Sequence, residues 1–577
     1  MKRNTLTTAV LAGLTGMAGM VSVSNATGVH VNPEGTGQVL IYPFYTARGG
    51  NDTLISIVNT TKRGKAVKVR FREALNSREV LDFHLYMSPF DVWTAAVTAN
   101  DDGGATLFTS DTSCTVPAIP ADGVDFLTFD FSQAPVAGQF AGTQDGAGTG
   151  IERTASGYVE VIEMASMTEP TLPTGGTAAA NAAALAALAF PGWVEYASKH
   201  VAGVPRNCQA LVNAWTENLP SSAVAGGRFV DDASDAARGP FEAASGGLFG
   251  AANIINVEEG TMFSFNAVAL ENFWTSAHDI SESHSTPGLD EPNLALGDNT
   301  TSHVLHNGVM VAQTWGESIQ AVSAALTQAK ITNEYVTEAA LGAQTEWVVT
   351  FPTKSYHTDP FQSTRGGAAT AGAAIGGTPS DRATQFVAPF TAGWNTARAA
   401  VTGVQAARAF SPACEGFQLN FWDREEARPA DAPAGARPPV FSPKPFDPST
   451  TARPEFQLCS EANVISFSDA GTSVAVGDAS GILGEPVRAS GLGLVNFGLP
   501  YQSGWAEIDL VTGIFAGTDD VTITEDARVA TASGATIKGL PVVGVSVTTY
   551  TNGDLGAGVL ANYGGTFSHR GSRVISN

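Results

Sequence analysis

The fold class is decided between Gly37 and Val97, where the chain reads GQVLIYPFYTARGGNDTLISIVNTTKRGKAVKVRFREALNSREVLDFHLYMSPFDVWTAAV. Apolar and polar residues alternate there with a period of two between turn signals, which is typical of antiparallel β-strands. In the two most regular strands the apolar positions are Val67, Val69, Phe71, Leu81, Phe83 and Leu85. The pattern therefore predicts a β-meander with one face on the core and the other in water.

The register of these two strands follows from the same pattern. Matching their apolar residues places Phe71 opposite Leu81, with a loop over residues 74–78 between the strands. This register sets Arg70 against Asp82 on the solvent side, where opposite charges form a favourable cross-strand pair. A slip by one residue would bury charge, so the register is firmly predicted.

Two later segments are also predicted to be strands. Residues 124–131 continue the alternation, whereas Trp347 to Phe351 form a continuous apolar run that ends at Pro352. A run without alternation is typical of a strand that is buried on both faces. We therefore place Trp347 to Phe351 at the centre of the second half of the chain.

The first residues indicate export. Lys2 and Arg3 precede a mainly apolar run from Leu6 to Val23, and Ala26 ends a small-residue site for a signal peptidase. A membrane-spanning helix is disfavoured because Thr and Gly interrupt the run. Cleavage after Ala26 would remove 26 of 577 residues and leave a mature chain of 551. We expect a cell-surface or extracellular location, with the periplasm as the alternative compartment, and no transmembrane segment in the mature chain.

Charge limits the partners. Without Lys2 and Arg3, the chain has 29 basic and 55 acidic residues, a net charge of −26. Such an acidic protein repels other polyanions, so nucleic acid and anionic lipid are excluded as expected partners. The protein itself, as a homo-oligomer or polymer, and other surface components remain as partners.

The four cysteines predict disulfides. An even number in an exported chain, without zinc-type spacing, is typical of a disulfide framework. Three connectivities are open, and we favour the one that keeps each bond within one half of the chain: Cys114 with Cys208, and Cys414 with Cys459.

The strand pattern predicts a mainly β fold with two antiparallel β-sandwich domains, Ig-like or jelly-roll-like, and a few short helices in insertions. The predicted units are a signal peptide (1–26), an N-terminal sandwich (27–242) with a helical insertion at about 176–218, and a C-terminal sandwich (243–577) with a Pro-rich loop (428–454). The boundary near Arg238 to Gly247 comes from composition alone.

A polar loop over residues 275–299 and the strand after it hold most of the potential metal ligands. The histidines among them are His278, His284, His303 and His306. On a strand, His303 and His306 would point to opposite faces, so they do not form a joint pair. A solvated loop is the preferred interpretation. No cofactor is expected, and calcium at acidic turns such as Asp101-Asp102 or Asp519-Asp520 is the alternative.

A basic stripe is the second candidate site. Seven of the basic residues lie between Lys62 and Arg78, and Lys68, Arg70 and Arg72 share one side of a predicted strand. One interpretation is a solvated sheet face with local ion pairs. The other is a docking face for an acidic surface, including another copy of this protein.

No catalytic motif is present. The sequence has no G-x-S-x-G elbow, Walker loop, HExxH pair or dinucleotide fingerprint. Two carboxylates suffice for a glycosidase, so a hydrolase with such a site stays an alternative. The aromatic residues that could stack on sugars are more typical of a sandwich core or rim: Trp93, Trp274, Trp315 and Trp422.

Four blocks, taken together, resemble a family of exported proteobacterial proteins labelled hypothetical or cell-surface proteins. The blocks are SREVLDFHLYMSPFDVW (77–93), EWVVTFPTK (346–354), FWDREE (421–426) and NYGGTFSHR (562–570). The resemblance implies a surface location, and it implies no reaction, ligand or catalytic residue.

We therefore expect an exported structural or interaction protein, not an enzyme. Self-assembly could use the N-terminal arm, since residues 29–33 could add a strand to the sheet edge of a neighbour. The alternatives are a carbohydrate- or calcium-binding β-sandwich module and a hydrolase with a carboxylate site.

Overall fold

The computed structural model describes residues 26–133, 144–172, 177–188, 190–215, 229, 240–359, 389–391, 412–424, 456–469, 477–488, 494–499, 501–515, 521–523, 529–532, 535–554 and 560–576. The predicted signal peptide up to residue 25, the Pro-rich loop and the Asp519-Asp520 turn lie outside these residues. The described chain is mainly β, and its sheets are antiparallel apart from one parallel strand pair.

The strands of the first half are β1 (His30–Val31), β2 (Val39–Thr46), β3 (Asn51–Asn59), β4 (Lys65–Glu73), β5 (Glu79–Met87), β6 (Val92–Ala99), β7 (Ala105–Phe108), β8 (Cys114–Val116), β9 (Val124–Asp125), β10 (Ser156–Met167), β11 (His200–Val201), β12 (Val204–Pro205), β13 (Phe241–Glu242), β14 (Leu248–Asn256), β15 (Thr261–Asn266) and β16 (Val268–Glu271).

The strands of the second half are β17 (Thr301–His306), β18 (Val309–Thr314), β19 (Thr327–Gln328), β20 (Lys330–Val336), β21 (Ala343–Thr350), β22 (Glu415–Asp423), β23 (Phe456–Leu458), β24 (Ala462–Asp469), β25 (Leu494–Leu499), β26 (Ser503–Asp509), β27 (Gly513–Phe515), β28 (Val521–Ile523), β29 (Val529–Ala532), β30 (Ala535–Lys538), β31 (Leu540–Pro541), β32 (Val543–Asp554), β33 (Leu560–Ser568), β34 (Arg570–Ser572) and β35 (Val574–Ser576).

The helices are short and lie between strands. They are α1 (Phe129–Ser132), α2 (Ala178–Ala187), α3 (Trp193–Ser198), α4 (Cys208–Trp215), α5 (Ile280–Ser283), α6 (Ser318–Leu326) and α7 (Lys354–Thr358), with 3-10 turns at Ile151–Ala155 and Ala339–Leu341. Helices α2, α3 and α4 fall within the predicted helical insertion. Helix α6 begins with a capping box, in which Glu317 and Gln320 satisfy backbone N–H groups that the first turn leaves unpaired.

Sheets I and II enclose the first core. Sheet I has the order β1-β16-β2-β10-β4-β5-β8, with β13 also on β10, and sheet II has the order β15-β14-β3-β6-β7-β9. The inward residues of the two sheets belong to one buried cluster, for example Phe71 and Phe83 of sheet I with Ile57 and Trp93 of sheet II. The predicted alternation of strand residues is therefore what builds this core.

Sheets III and IV form the second half. Sheet III has the order β25-β24-β21-β32-β33, and sheet IV has the order β23-β22-β26-β20-β34. On β21, Trp347 and Val349 pack with residues of sheet IV, whereas Val348 belongs to the core of sheets I and II. Strand β21 is the middle strand of its sheet and is buried on both faces, as predicted.

Strands on both sides of the predicted domain boundary share the same sheets. Strand β14 pairs with β3, and β16 pairs with β2, although β14 and β16 follow residue 247. The boundary near Arg238 to Gly247 therefore does not coincide with a break between sheets.

The meander prediction is confirmed in its register. Phe71 lies opposite Leu81, Val69 opposite Phe83 and Arg70 opposite Asp82. The predicted strand over residues 124–131 is wrong beyond its first two residues: β9 ends at Asp125, and α1 begins at Phe129.

The N-terminal arm is a strand of its own sheet. Strand β1 pairs with β16, and Val29 is fully buried, with its N–H donating to the carbonyl of Thr301. In the single chain, the residues that we expected to reach a neighbour therefore already fill a position in sheet I.

Candidate functional site

The basic stripe lies inside the protein. Lys68, Arg70 and Arg72 point away from the core of sheets I and II, as their alternation predicts, yet all three are fully buried. The prediction that this sheet face is wetted and could serve as a docking face is therefore wrong. The period of two determines on which side of the sheet a residue lies, but not whether another segment covers that side.

The cover comes from the polar loop over residues 275–299. Asp290 accepts hydrogen bonds from Arg70 and, at 3.0 Å, from Arg72, and the carbonyl of Leu289 accepts one from Lys68 at 2.8 Å. Helix α7 adds Tyr356, whose hydroxyl accepts from Arg72 at 3.0 Å. The two regions that we predicted as separate candidate sites are thus packed against each other.

Neighbouring strands supply further counterions. Glu160 on β10 is directly opposite Arg70, with 3.1 Å between its Oε2 and Nη1 of Arg70 and 3.2 Å to Nε of Arg72. Glu79 on β5 lies 2.8 Å from Arg70. Asp82, which we expected to pair with Arg70, instead forms its ion pair with Lys68, one row further along the sheet.

This network, which we call the buried ionic layer, holds one more acid than base. Three buried cations, Lys68, Arg70 and Arg72, contact four carboxylates, Glu79, Asp82, Glu160 and Asp290. Asp290 lies at the outer edge of the layer, with 56% of its side chain exposed. Burial raises the pKa of Glu79 to about 7, and the charges of Asp82 and Asp290 act in the same direction, against the opposing effect of Arg70. Glu79 therefore takes up a proton near neutral pH, well above the range in which a carboxyl group ordinarily does so.

A second buried network closes the loop between β4 and β5. Glu73 accepts from the backbone N–H groups of residues 75, 76 and 78, and Arg153 donates to Glu73 at 2.8 Å and to Asp145 at 2.6 Å. Burial would raise the pKa of Asp145, but the charge of Arg153 outweighs it and lowers that pKa. These charges fix a loop conformation, and all three side chains are buried.

The four candidate histidines are held in four different surroundings. His278 stacks on Trp274 with ring centroids 5.0 Å apart, and His284 shares a 2.9 Å hydrogen bond with the hydroxyl of Tyr86. His303 accepts from the N–H of Gly28 at 3.4 Å, and His306 contacts Asn307 at 3.0 Å. Among the described residues, no three His, Cys, Asp or Glu side chains are close enough together to hold a metal ion.

Sequence reasoning missed a buried cluster of aromatic and histidine rings on the outer side of sheet I. The ring of His84 on β5 lies 5.4 Å from Trp215 and 5.9 Å from His284. Burial lowers the pKa of His84 well below its usual value, with the charge of Lys68 acting in the same direction, and lowers that of His284 to about 3. Both rings are therefore neutral and pack as aromatic side chains.

Both predicted disulfides are present. Cys114 is bonded to Cys208, which ties β8 to α4, and Cys414 is bonded to Cys459, which ties β22 to the end of β23. The first bond holds the helical insertion against the outer side of sheet I, where α3 and α4 cover Tyr86 and Met164.

The outer face of sheet II, in contrast, is open. Its exposed apolar side chains are 38 to 53% accessible: Leu54, Val92, Phe108, Phe249 and Met262. Between them lie small or neutral residues: Ser56, Val58, Thr94, Ala96, Ala251, Asn253, Ile255 and Ser264. Among the outward residues of β3, β6, β7, β14 and β15, Asp52 is the one ionisable side chain, and on the edge strand β9 the exposed Asp125 lies opposite Thr106. We call this surface the neutral face.

Comparison of the chain with protein-family models, with curated proteins and with solved structures gave no match. The resemblance to exported cell-surface proteins therefore stays a prediction. None of the helices in the described part of the chain is long and apolar enough to cross a membrane.

Proposed function

We propose that this chain is an exported interaction protein of the cell surface or extracellular space, without catalytic activity, that associates with copies of itself through the neutral face. The observation that carries the proposal is a run of five adjacent strands, β15-β14-β3-β6-β7, whose outward residues include a single ionisable side chain, on a protein whose net charge is −24. The signal-peptide pattern and the two disulfides support an oxidising compartment outside the cytoplasm.

A second copy fits this face better than a charged partner does. Two molecules of like net charge repel each other, and contact is least unfavourable where both surfaces are neutral. The five apolar side chains named above are spread over five adjacent strands, so they form a broad patch of the kind that marks interaction sites. Self-association of identical faces would form a closed, two-fold dimer.

The area is sufficient for a reversible contact. Five strands about 4.8 Å apart, with about six residues of about 3.3 Å each, give roughly 500 Å² per copy. A dimer would bury about 1,000 Å² in total, which is at the lower limit of specific interfaces. We therefore expect association with a dissociation constant in the micromolar range, not an obligate dimer.

The finer architecture belongs to the same proposal. Sheets I and II would be one sandwich and sheets III and IV the other, and the cluster of sheets I and II also includes Val348, Val464 and Val547 of sheet III. A non-catalytic role is supported by the way in which the ionisable groups of the described residues are used: Lys68, Arg70, Arg72, Arg78 and Arg153 all pair with carboxylates inside the fold.

The test is a matched pair of charge substitutions. Leu54 on the neutral face and Leu305 on β17 are 39% and 45% exposed, so Leu54→Glu and Leu305→Glu add the same charge at similar cost to folding. By sedimentation equilibrium of the mature protein, Leu54→Glu should weaken association at least about tenfold, because two carboxylates would meet in the contact. Leu305→Glu should leave it unchanged. A monomeric wild type, or equal effects of both substitutions, would reject the proposal.

The location is tested separately. Intact cells would be treated with a membrane-impermeant lysine reagent, and the protein would be recovered and its mass measured. We expect a mass that begins at Thr27 and labelled lysines. A protein that retains residues 1–26, or that is protected from the reagent until the outer layers are broken, would contradict a surface location.

A further inference from the structure

Sheet IV has an aromatic pair on its outer side. Trp422 on β22 and Trp505 on β26 are cross-strand partners, and their rings stack with centroids 3.9 Å apart and planes within 9°. The flanking residues Phe421 and Ala506 point inward to the second core. Trp505 is 40% exposed, although tryptophan side chains are highly buried on average.

A row of polar side chains lies beside this pair on the same face. Glu507 accepts hydrogen bonds on one oxygen from Lys330 at 2.8 Å and from Asn420 at 3.3 Å. Gln418 donates to the side-chain oxygen of Asn420 at 3.3 Å. The strand register places Asn420 opposite Glu507 and Trp422 opposite Trp505, so the polar row and the aromatic pair are neighbours two residues apart on each strand.

We propose that this outer face of sheet IV is a binding site for a neutral polysaccharide. Sugar rings present C–H groups that pack on an aromatic face, and hydroxyl groups that both donate and accept hydrogen bonds. The Trp422–Trp505 pair provides the first surface. The row of Gln418, Asn420, Glu507 and Lys330 provides donors and acceptors that their mutual hydrogen bonds hold in place.

Charge decides the class of polysaccharide. Glu334 lies opposite Trp505, and Asp509 lies opposite Lys330, so the three carboxylates of this face, with Glu507, outnumber its two basic residues, Lys330 and Arg570. Anionic polysaccharides are repelled by such a surface and by the acidic chain as a whole. The site is on a different sheet from the neutral face, so the proposal does not depend on self-association.

The other tryptophans that the sequence offered for this role are not accessible. Trp93, Trp274 and Trp315 are buried in the cores, with at most 8% of their surface exposed. Trp422 is half-buried, and its accessible partner Trp505 could not be identified from the sequence because the register between β22 and β26 links residues more than 80 positions apart.

The experiment is affinity electrophoresis of the mature full-length protein in native gels that contain hydroxyethyl cellulose, xylan or soluble starch, with carboxymethyl cellulose as the anionic comparison. The wild type should be retarded in at least one neutral gel and not in the anionic one. Trp505→Ala should weaken that binding about fivefold to tenfold, and Trp505→Phe should weaken it less, because a smaller aromatic face remains. Tyr563→Ala is the control, since Tyr563 is an exposed aromatic residue on sheet III.

Each other outcome overturns the proposal. Absence of retardation in all three neutral gels would show that the face does not bind this class. Equal binding by wild type and by folded Trp505→Ala would place the ligand elsewhere, and salt-sensitive retardation in carboxymethyl cellulose would contradict a neutral ligand. Leu54→Glu should bind polysaccharide like the wild type, so failure of self-association and failure of this site are distinguishable.

Discussion

Sheets I and II share one core, yet their outer faces are opposites. The outer face of sheet I carries Lys68, Arg70 and Arg72 and is buried, whereas the outer face of sheet II carries Leu54, Met262 and other neutral residues and is exposed. Hydrophobicity alone predicts the reverse, with the charged face exposed and the neutral face buried. The difference teaches that the exposure of a sheet face depends on which segments of the chain lie above it.

The charged side chains on the outer face of sheet I can be buried because they form ion pairs with carboxylates of neighbouring segments. Taking ions out of water is costly, and the cost is offset only when each charge has close partners. Glu160 comes from the adjacent strand and Asp290 from the covering loop, so the ionic layer specifies both the strand neighbours and the position of the loop. Among the described residues, no segment covers the neutral face of sheet II in this way.

The largest effect is expected when the ionic layer loses a cation. Arg70→Met would leave Glu79, Glu160 and Asp290 without one of their partners, and we expect a loss of about 3–5 kcal/mol in the free energy of unfolding. Chemical denaturation followed by circular dichroism measures it. Arg70→Lys, which keeps the charge but not the planar fork of donors, should lose less.

The control is a basic residue outside the layer. Arg63 pairs with Glu242 at 3.4 Å, and both side chains are partly exposed, so Arg63→Met should change the free energy of unfolding by less than about 1 kcal/mol. Similar losses for Arg63→Met and Arg70→Met would show that burial of the stripe has no energetic consequence.

The second largest effect is a dependence of the free energy of unfolding on pH, which arises at the covered outer face of sheet I. In the folded protein the pKa of Glu79 is about 7, against 4.5 in its ordinary state, so the folded state binds more protons than the unfolded state between these values. The contribution of Glu79 to stability is complete below about pH 4.5 and is lost as the pH rises to 7, by at most about 3 kcal/mol. Glu79→Gln should flatten that part of the stability curve. An unchanged slope in this variant would show that the pKa of Glu79 is not raised in the folded protein.

The smallest effect concerns the open face. Acidic residues lie at its rim, among them Glu258 and Glu259 in the turn between β14 and β15, and Asp111, whose carboxylate accepts from the N–H of Thr94. Their repulsion between two copies should be screened by salt, so self-association should strengthen a few-fold from about 20 mM to about 0.5 M NaCl. Sedimentation equilibrium at both concentrations checks this. Weaker association at high salt would indicate ion pairs in the contact, as the original docking hypothesis for the basic stripe required.

Much of the local structure was predictable. The register of β4 and β5, the buried strand β21, the hairpin-rich sheets, the helical insertion and both disulfide pairs follow from periodicity, composition and cysteine count. Residues 126–131 were mispredicted as strand because their alternation of Phe with polar residues is not distinctive over so few positions.

The candidate site was predictable only in pieces. Arg70 and Asp82 were assigned to the correct rows, but Glu160 was overlooked as a counterion, although it alternates with Val159 and Val161 as a sheet-face residue should. Its importance depends on β10 lying beside β4, about 90 positions away in the chain. Strand order within a sheet is non-local, and a single sequence does not encode it in any local pattern.

The sequence by itself determined which residues of each strand share a side, because the period of a strand is a property of the backbone. Only the tertiary structure decided which of those sides is open to solvent. The exposure of a side depends on where the polar loop, the helices and the neighbouring sheets pack. Their positions are determined by contacts between residues far apart in the chain.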